Sequence, residues 1–321
     1  MAKIRKLPPK KYLSTLKYAS LNYLCRDFRY PFYCTFKVIQ RCDSRCEFCD
    51  VWRKRMPDMP TEKVLRIIDN VANSSVVLLS MEGGEPLLRK DIGDILEYVH
   101  TKPLYLLFTT SGKLIDRVPM RDYAKSIDFL HVSIDEGHGN LDLLESLPEY
   151  VTWGPTVCAQ IVVMREHLKD LEWKVRQCHR VGAKAVVMPA CHLPGTDNYL
   201  PEIAAFRDEV LRLKKRYPQT IITTERYLRT LDVPHSCNTA SVLVDADGRL
   251  YYPCNINPVC SIDASEEPIM DFLVSERARE CRARMRLCDR NCHCYLYFAM
   301  DSHLSIRSTV SALEPYLSGL F

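Results

Sequence analysis

The sequence predicts an α/β protein: a parallel sheet with helices packed outside it. Two observations carry that expectation. Strand-like runs alternate with amphipathic helical stripes from residue 32 to about residue 225. Polar or glycine-containing segments follow several of those runs, and ligands of parallel α/β folds gather at the C-terminal ends of the strands. About six βα units are visible, fewer than the eight of a closed barrel, so an open or partial barrel and a doubly wound sheet both fit.

The chain opens on a basic segment. Residues 1–31 hold Lys3, Arg5, Lys6, Lys10, Lys11, Lys17, Arg26 and Arg29 against one acid, Asp27. Leucines and tyrosines are interleaved with them, and Pro8-Pro9 delays any helix to about residue 10. A basic amphipathic helix of this kind can lie on an anionic membrane or dock on the domain and expose its lysines. The first strand-like run, Phe32–Ile39, follows, and others are expected at Ser75–Met81, Leu104–Thr109, Asp128–Ile134, Thr156–Val163, Ala183–Met188 and Thr220–Thr223. Between them Val64, Ile67, Ile68 and Val71 recur at helical spacing, as do Ile92, Ile95, Leu96 and Val99. Leu168, Leu171, Val175 and Cys178 form a third stripe, ending at Gly182. Ile203, Phe206, Val210 and Leu213 form a fourth, entered through Pro201. Thr61 stands where a cap is expected.

Beyond about residue 231 the texture changes. Ser241–Val244 and Arg249–Tyr252 flank Asp245-Ala-Asp-Gly248, which reads as a hairpin. Seven of the chain's 15 cysteines, from Cys237 to Cys294, crowd around it. The expected division is an arm (1–31), a barrel (32–230), a small cysteine-rich α+β module (231–297) and a tail (298–321).

Composition limits the function. The formal net charge of +4 is too small to imply nucleic acid, and no run of about 18 apolar residues spans a membrane. With no secretory signal and an odd cysteine count, metal or cluster ligation in a reducing cytoplasm is expected rather than disulfides. The scattered Cys25, Cys34, Cys158, Cys178 and Cys191 read as small buried hydrophobes.

Three stretches carry chemistry. Cys42, Cys46 and Cys49 stand in C-x3-C-x2-C spacing just after the first strand. Three thiolates hold one face of an iron–sulfur cluster and leave a corner open; a zinc site would need a fourth ligand. Gly83-Gly84-Glu85-Pro86 follows the second strand, where two glycines admit close backbone approach. Ser133 and Asp135 end the fourth strand, and Thr109-Thr110-Ser111-Gly112 forms a similar polar rim after the third.

Together these residues resemble the radical S-adenosylmethionine (SAM) superfamily, over about residues 32–225. The resemblance implies a partial (β/α)6 TIM-like barrel. It implies a [4Fe–4S] cluster on Cys42, Cys46 and Cys49, with Phe48 beside the adenine of SAM. It implies SAM contacts from Gly83, Gly84, Glu85 and Pro86, and a rim contact from Ser111, which stands in a Thr-Ser-Gly where Thr-Asn-Gly is common. Ser133 and Asp135 fall at the ribose position, and Val162 and Val163 where backbone meets the adenine. The hairpin module resembles SPASM/twitch extensions. That implies one auxiliary [4Fe–4S] cluster on Cys237 and Cys254 with two of Cys288, Cys292 and Cys294; Cys260 and Cys281 are spares or ligands to a second. The activity implied is reductive cleavage of SAM to a 5′-deoxyadenosyl radical that takes hydrogen from an unactivated carbon, fed by a flavodoxin- or ferredoxin-type electron donor. No catalytic acid or base is assigned from the sequence.

For substrate, the basic arm favours a membrane lipid or isoprenoid chain, reached by a cytoplasmic protein resting peripherally on the inner face of the membrane. The SPASM-like module favours the alternative, modification of a peptide or protein side chain. A non-catalytic iron–sulfur or zinc scaffold is the third reading, against which the Gly-Gly-Glu-Pro turn and the open cluster corner stand.

Overall fold

The computed structural model describes residues 5–190, 199–231 and 241–288. Six strands form the body of the sheet: β1 (Tyr33–Ile39), β2 (Leu78–Gly83), β3 (Tyr105–Thr110), β4 (Phe129–Ser133), β5 (Thr156–Val163) and β6 (Lys184–Pro189). Each pairs in parallel with the next in sequence. That is the order of a barrel, not of a doubly wound sheet, whose strand order reverses.

The hairpin module is continuous with this sheet. Strand β7 (Ser241–Val244) pairs in parallel with β1, and β8 (Arg249–Tyr252) and β9 (Cys260–Asp263) continue antiparallel beyond it. The strand expected at Thr220–Thr223 is reduced to a single bridge, Ala185 to Ile221. The Thr223 hydroxyl bonds both the N–H and the carbonyl of Val187, ending the ladder where a backbone pair would have continued it.

Around the sheet lie α1 (Pro9–Cys25), α2 (Thr61–Ala72), α3 (Ile92–His100), the one-turn α4 (Met120–Tyr123) and α5 (Leu147–Tyr150), α6 (Leu171–Val181), α7 (Ile203–Arg216), α8 (Glu225–Thr230), α9 (Ile269–Val274) and α10 (Glu276–Arg286). The expected stripes of α2 and α3 are their buried faces, and those of α6 and α7 are too except that Leu168 precedes α6 and Ile203 is only partly buried. Helix α6 ends at Gly182 in the left-handed region, φ 76°. Two helix starts differ from expectation. Thr61 is the first helical residue rather than the cap and gives its hydroxyl to Asp91, and α7 begins at Ile203, two residues after Pro201, capped by Glu202, which accepts from Ala204 and Ala205 N–H.

The sheet has two unlike faces. Cys34, Phe36 and Val38 of β1, Leu79 and Met81 of β2, Leu106 and Phe108 of β3, and Ala159, Ile161 and Val163 of β5 join the helices in one hydrophobic core. Their alternate neighbours face the inside of the barrel. Cys34, Cys158 and Cys178 are buried as expected, and burial pushes the Cys178 thiol up to about 12. Cys25 differs: it ends α1 exposed. Cys191 lies outside the described residues.

The basic arm docks on the barrel. Arg5 reaches the carbonyls of His100 and Leu104 and the carboxylate of Asp128, and Asp27 pairs with Arg282 of α10 at 2.6 Å. Lys11 is turned inward onto the carbonyls of Ala72 and Ser74, and burial pulls its pKa down to about 8. The opposite side of α1 leaves Leu13, Leu16 and Leu24 exposed at 67, 66 and 75%.

Candidate active site

The cysteine loop leaves the C-terminal end of β1. Its bends are tied by its own backbone and by neighbours: Cys49 N–H to the Cys46 carbonyl, Trp52 Nε1 to the same carbonyl, and the Gln40 amide to the Val51 carbonyl at 2.8 Å. Cys46 is buried; Cys42 and Cys49 are partly open. Burial pushes the Cys42 thiol up to about 11 and raises Cys49 as well. Among the described residues, the group that brings three ligand atoms within 4.8 Å of one another is Glu136, His167 and Asp170, not the three cysteines. Thiolates on one zinc would lie about 3.8 Å apart, so this loop is spread more widely than a mononuclear site requires. Glu136 is already paired with Lys174 at 2.7 Å.

The two glycines after β2 shape this loop. The Gly84 N–H donates to the Ile39 carbonyl and the Glu85 N–H to the Arg41 carbonyl, both at 2.8 Å. A Cβ on Gly83 would sit 2.3 Å from the Ile39 oxygen, and one on Gly84 2.1 Å from the Arg41 oxygen. The turn is therefore pressed against the backbone that runs directly into Cys42. With those amides consumed, it has carbonyl acceptors to offer a ligand, a match for a protonated amine.

Two of the expected ligand-binding carboxylates are occupied. Glu85 accepts from Leu87 N–H, the Thr110 hydroxyl and Ser111 N–H, bracing β2 to β3. Asp135 accepts from His138 N–H, His138 Nδ1 and Val162 N–H, bracing β4 to β5. Both side chains hold the rim in place, each with three of its roughly four acceptor positions engaged. Pro86 starts the short turn that Glu85 caps. The Val163 side chain lies in the outer core and its carbonyl accepts from Ala190, so Val162 is the residue that faces Phe48. Ser133 and Ser111 stay at the rim, and the buried Ser111 Oγ lies near Glu85 without a hydrogen bond of normal geometry, a polar atom that a ligand would satisfy. Three thiols on one loop, a glycine cradle beside them and an incompletely bonded hydroxyl fit a cluster carrying SAM.

Sequence reasoning missed two residues here. Asn140 joins the rims of β3 and β4, donating to the carbonyls of Ser111 and Ser133 and accepting from Asp135 N–H. His138 packs its edge against Phe48 with ring centres 5.4 Å apart. Burial alone would lower its pKa, but Asp135 and then Cys46 raise it to about 10. Nothing but its place three residues after Asp135 could have signalled it.

Below the rim the inner face of the barrel is polar. Register sets Thr35 beside Ser80 and Lys37 beside Glu82. Lys37 pairs with Asp245 at 3.4 Å. His131, further round, is held neutral by burial, its pKa lowered to about 4. Burial raises the Glu82 carboxyl from 4.5 to about 7; Lys37 opposes that and Asp245 adds to it. A carboxyl whose folded pKa lies above its unfolded value binds more protons when folded between the two. Stability therefore falls as pH rises from about 4.5 to about 7 and stays lower above. Urea unfolding of the metal-free Glu82→Gln protein is expected to show it more stable than the parent at pH 8, by roughly 2–3 kcal/mol, and equal to it near pH 4. A difference independent of pH would contradict this.

The C-terminal cysteines are partly described. Cys254 accepts from Asn257 N–H at 3.3 Å, and Cys288 follows α10. Cys237, Cys292 and Cys294 lie outside the described residues. The Cys260 and Cys281 sulfurs sit 2.8 Å apart, which places these two thiols side by side between β9 and α10.

A parallel partial barrel with a three-thiol loop at its mouth defines a class, and comparison with known proteins agrees. Residues 36–153 match the Radical SAM superfamily model, so the chain carries a Radical SAM domain over that stretch. It is 29% identical over 104 residues to a PqqA peptide cyclase of Granulibacter bethesdensis, covering 31% of this chain and 28% of that one. A GTP 3′,8-cyclase of Lactiplantibacillus plantarum is 28% identical over 111 residues, 32% of this chain and 33% of the other. The chain thus spans about a third or less of these relatives' length. Its fold is similar to Streptococcus suis SuiB bound to S-adenosylmethionine, with TM-score 0.67 and 15% identity over 84% of this chain and 71% of that one. It is also similar to anSMEcpe with bound AdoMet and Cp18Cys peptide, with TM-score 0.60 and 14% identity over 90% of this chain and 98% of the other.

Proposed function

We propose that this protein reductively cleaves SAM and uses the 5′-deoxyadenosyl radical to modify a peptide or protein side chain. The observation that carries the radical half is the loop of Cys42, Cys46 and Cys49 with Gly83-Gly84 pressed against its root. A [4Fe–4S] cluster bound there would supply the electron that breaks the C–S bond of SAM, delivered to it by a flavodoxin- or ferredoxin-type donor. The chain's own residues do the rest. Gly83 and Gly84 present carbonyls toward the SAM amine, Phe48 and Val162 offer an apolar wall for the adenine, and Ser111 Oγ offers a hydrogen bond. Glu85, Asp135 and Asn140 fix the rim so that the radical forms above the lumen and away from bulk water.

The peptide half rests on the lumen. Thr35, Ser80 and Glu82 would leave an isoprenoid chain against incompletely paired polar groups, at a cost of about 1–3 kcal/mol each. The lipid substrate suggested by the basic arm is therefore the weaker reading. SuiB, in its complex with precursor peptide SuiA, and anSMEcpe share the fold and hold peptides. An auxiliary cluster on Cys237, Cys254 and two of Cys288, Cys292 and Cys294 remains part of the proposal. Anaerobically reconstituted protein given dithionite and SAM should form 5′-deoxyadenosine; none from protein with its loop cluster intact would overturn it.

The exposed Leu13, Leu16 and Leu24 beside Lys10 and Lys17 keep one part of the second reading, a peripheral membrane contact. No described helix is long and apolar enough to cross a membrane. Replacing the three leucines by serine should weaken sedimentation with phosphatidylserine vesicles by tenfold or more, since even two buried CH₂ groups at about 0.8 kcal/mol each amount to that, with unfolding unchanged. Equal sedimentation of both proteins would remove the membrane contact.

A further inference from the structure

Closed barrels of this family of folds fill their interiors with bulky branched side chains. Here β1 and β2 instead send charged and hydroxyl side chains inward. Thr35 and Ser80 are 0 and 1% exposed, and their hydroxyls lie beside that of Tyr33 without completing a hydrogen bond of normal geometry. One layer nearer the mouth, Lys37 stands beside Glu82. The Lys37 ammonium is taken by Asp245, which also accepts from Ala246 N–H. Glu82 has no hydrogen bond or ion pair with any described residue, though its carboxylate lies within the field of Lys37 and Asp245. Two carboxylates therefore share one cation, above a floor of hydroxyls from Tyr33, Thr35 and Ser80 that lack full hydrogen bonds. Glu82 is also the residue directly before Gly83 and lies under the mouth where the cysteine loop hangs.

We infer that the lumen is a recognition site for a cationic side chain, a lysine ammonium or an arginine guanidinium of the substrate peptide, with Glu82 as its counter-charge and Thr35 and Ser80 as hydrogen-bond partners beneath. This deepens the proposed function and rests on it. The ligand's charge supplies what the site lacks. It pairs the free carboxylate and restores the balance of one cation per acid, and its N–H groups complete the hydrogen bonding of hydroxyls that otherwise meet only Tyr33. A neutral aliphatic chain does neither, and an acidic one adds a third negative charge.

The test uses reconstituted full-length protein, SAM and dithionite, with four probes: the blocked tripeptides acetyl-Gly-X-Gly-amide in which X is Lys, Arg, Glu or Leu. The readout is the ratio of half-saturating concentrations for stimulating 5′-deoxyadenosine formation. The Lys or Arg probe is expected to saturate at about tenfold or more lower concentration than the Glu and Leu probes. Glu82→Gln should collapse that ratio and Glu82→Asp should keep it, which a merely structural role would not produce. Wild-type protein that forms 5′-deoxyadenosine with SAM alone yet shows no preference among the probes, or prefers Glu, overturns the lumen inference and leaves the radical reading standing. A cationic preference that survives Glu82→Gln overturns the role of Glu82. Wild-type protein that forms no 5′-deoxyadenosine at all removes the reading on which the inference rests.

Discussion

Cys46→Ala is expected to lose the loop cluster and, with it, 5′-deoxyadenosine formation, by about a thousandfold or to the floor of the assay. Of the three thiols Cys46 is the buried one, 5% exposed, and its carbonyl receives both Cys49 N–H and Trp52 Nε1. The loop's fold therefore persists in the variant while the ligand is gone. Two remaining thiols cannot hold a cluster that needs three protein ligands and an open corner. The comparison variant is Cys34→Ala, equally a buried cysteine but on the outer face of β1 in the core, where the loss is packing of about 1 kcal/mol or less and no iron. Bound iron, cluster absorbance and product are read on both. If the C-terminal module holds an auxiliary cluster, Cys46→Ala keeps that fraction of its iron yet makes no product. A Cys46→Ala protein with a full iron load and undiminished product would show that the radical starts elsewhere.

Much of this site is legible in the order of the residues alone. Alternation of strand and helix places the cysteine loop and the Gly-Gly turn at neighbouring strand ends, and parallel register puts Ile39 beside Gly83. Periodicity also locates the buried face of each helix, because 3.6-residue spacing is a local property of the chain. What sequence does not reveal is non-local. Thr61 has the residue type of a cap, but Asp91, 30 positions away, takes its hydroxyl. Glu85 and Asp135 have the residue types of ligand-binding acids, but sequence gives no sign that each also takes donors from the next strand. Alternation alone shows that Val162 and Val163 face opposite ways, not which of them sees the mouth. The lumen is hidden for the same reason: Lys37, Glu82 and Asp245 become one layer only once β2 and β7 flank β1. The cysteine-rich module likewise looks separate in sequence because nothing local announces that Ser241–Val244 will pair with a strand some 200 residues earlier.

Gly84→Ala is expected to be the most damaging single methyl that can be added near the site. The new Cβ would meet the Arg41 carbonyl oxygen at 2.1 Å, its carbon at 2.5 Å and the Gln40 oxygen at 2.6 Å. All three are backbone atoms, so no side chain can swing aside. Relief requires the turn and the segment entering Cys42 to separate, which breaks the Gly84-to-Ile39 and Glu85-to-Arg41 hydrogen bonds. Overpacking and two lost buried hydrogen bonds together amount to about 3–5 kcal/mol, or a drop of roughly 10 °C in midpoint. The functional loss should exceed the loss of stability. The same separation moves Cys42 relative to Cys46 and Cys49 and withdraws the carbonyls offered to SAM, so iron loading should fall even at temperatures where the protein stays folded. Gly139→Ala is the control. Gly139 has φ 66° but nothing within 4 Å of its new methyl, so only the left-handed backbone cost of about 1 kcal/mol applies. Calorimetry of the metal-free proteins and iron analysis after reconstitution separate the two effects. Gly84→Ala with a midpoint within about 2 °C of the parent and a full iron load would mean that the turn does not set the cysteine loop.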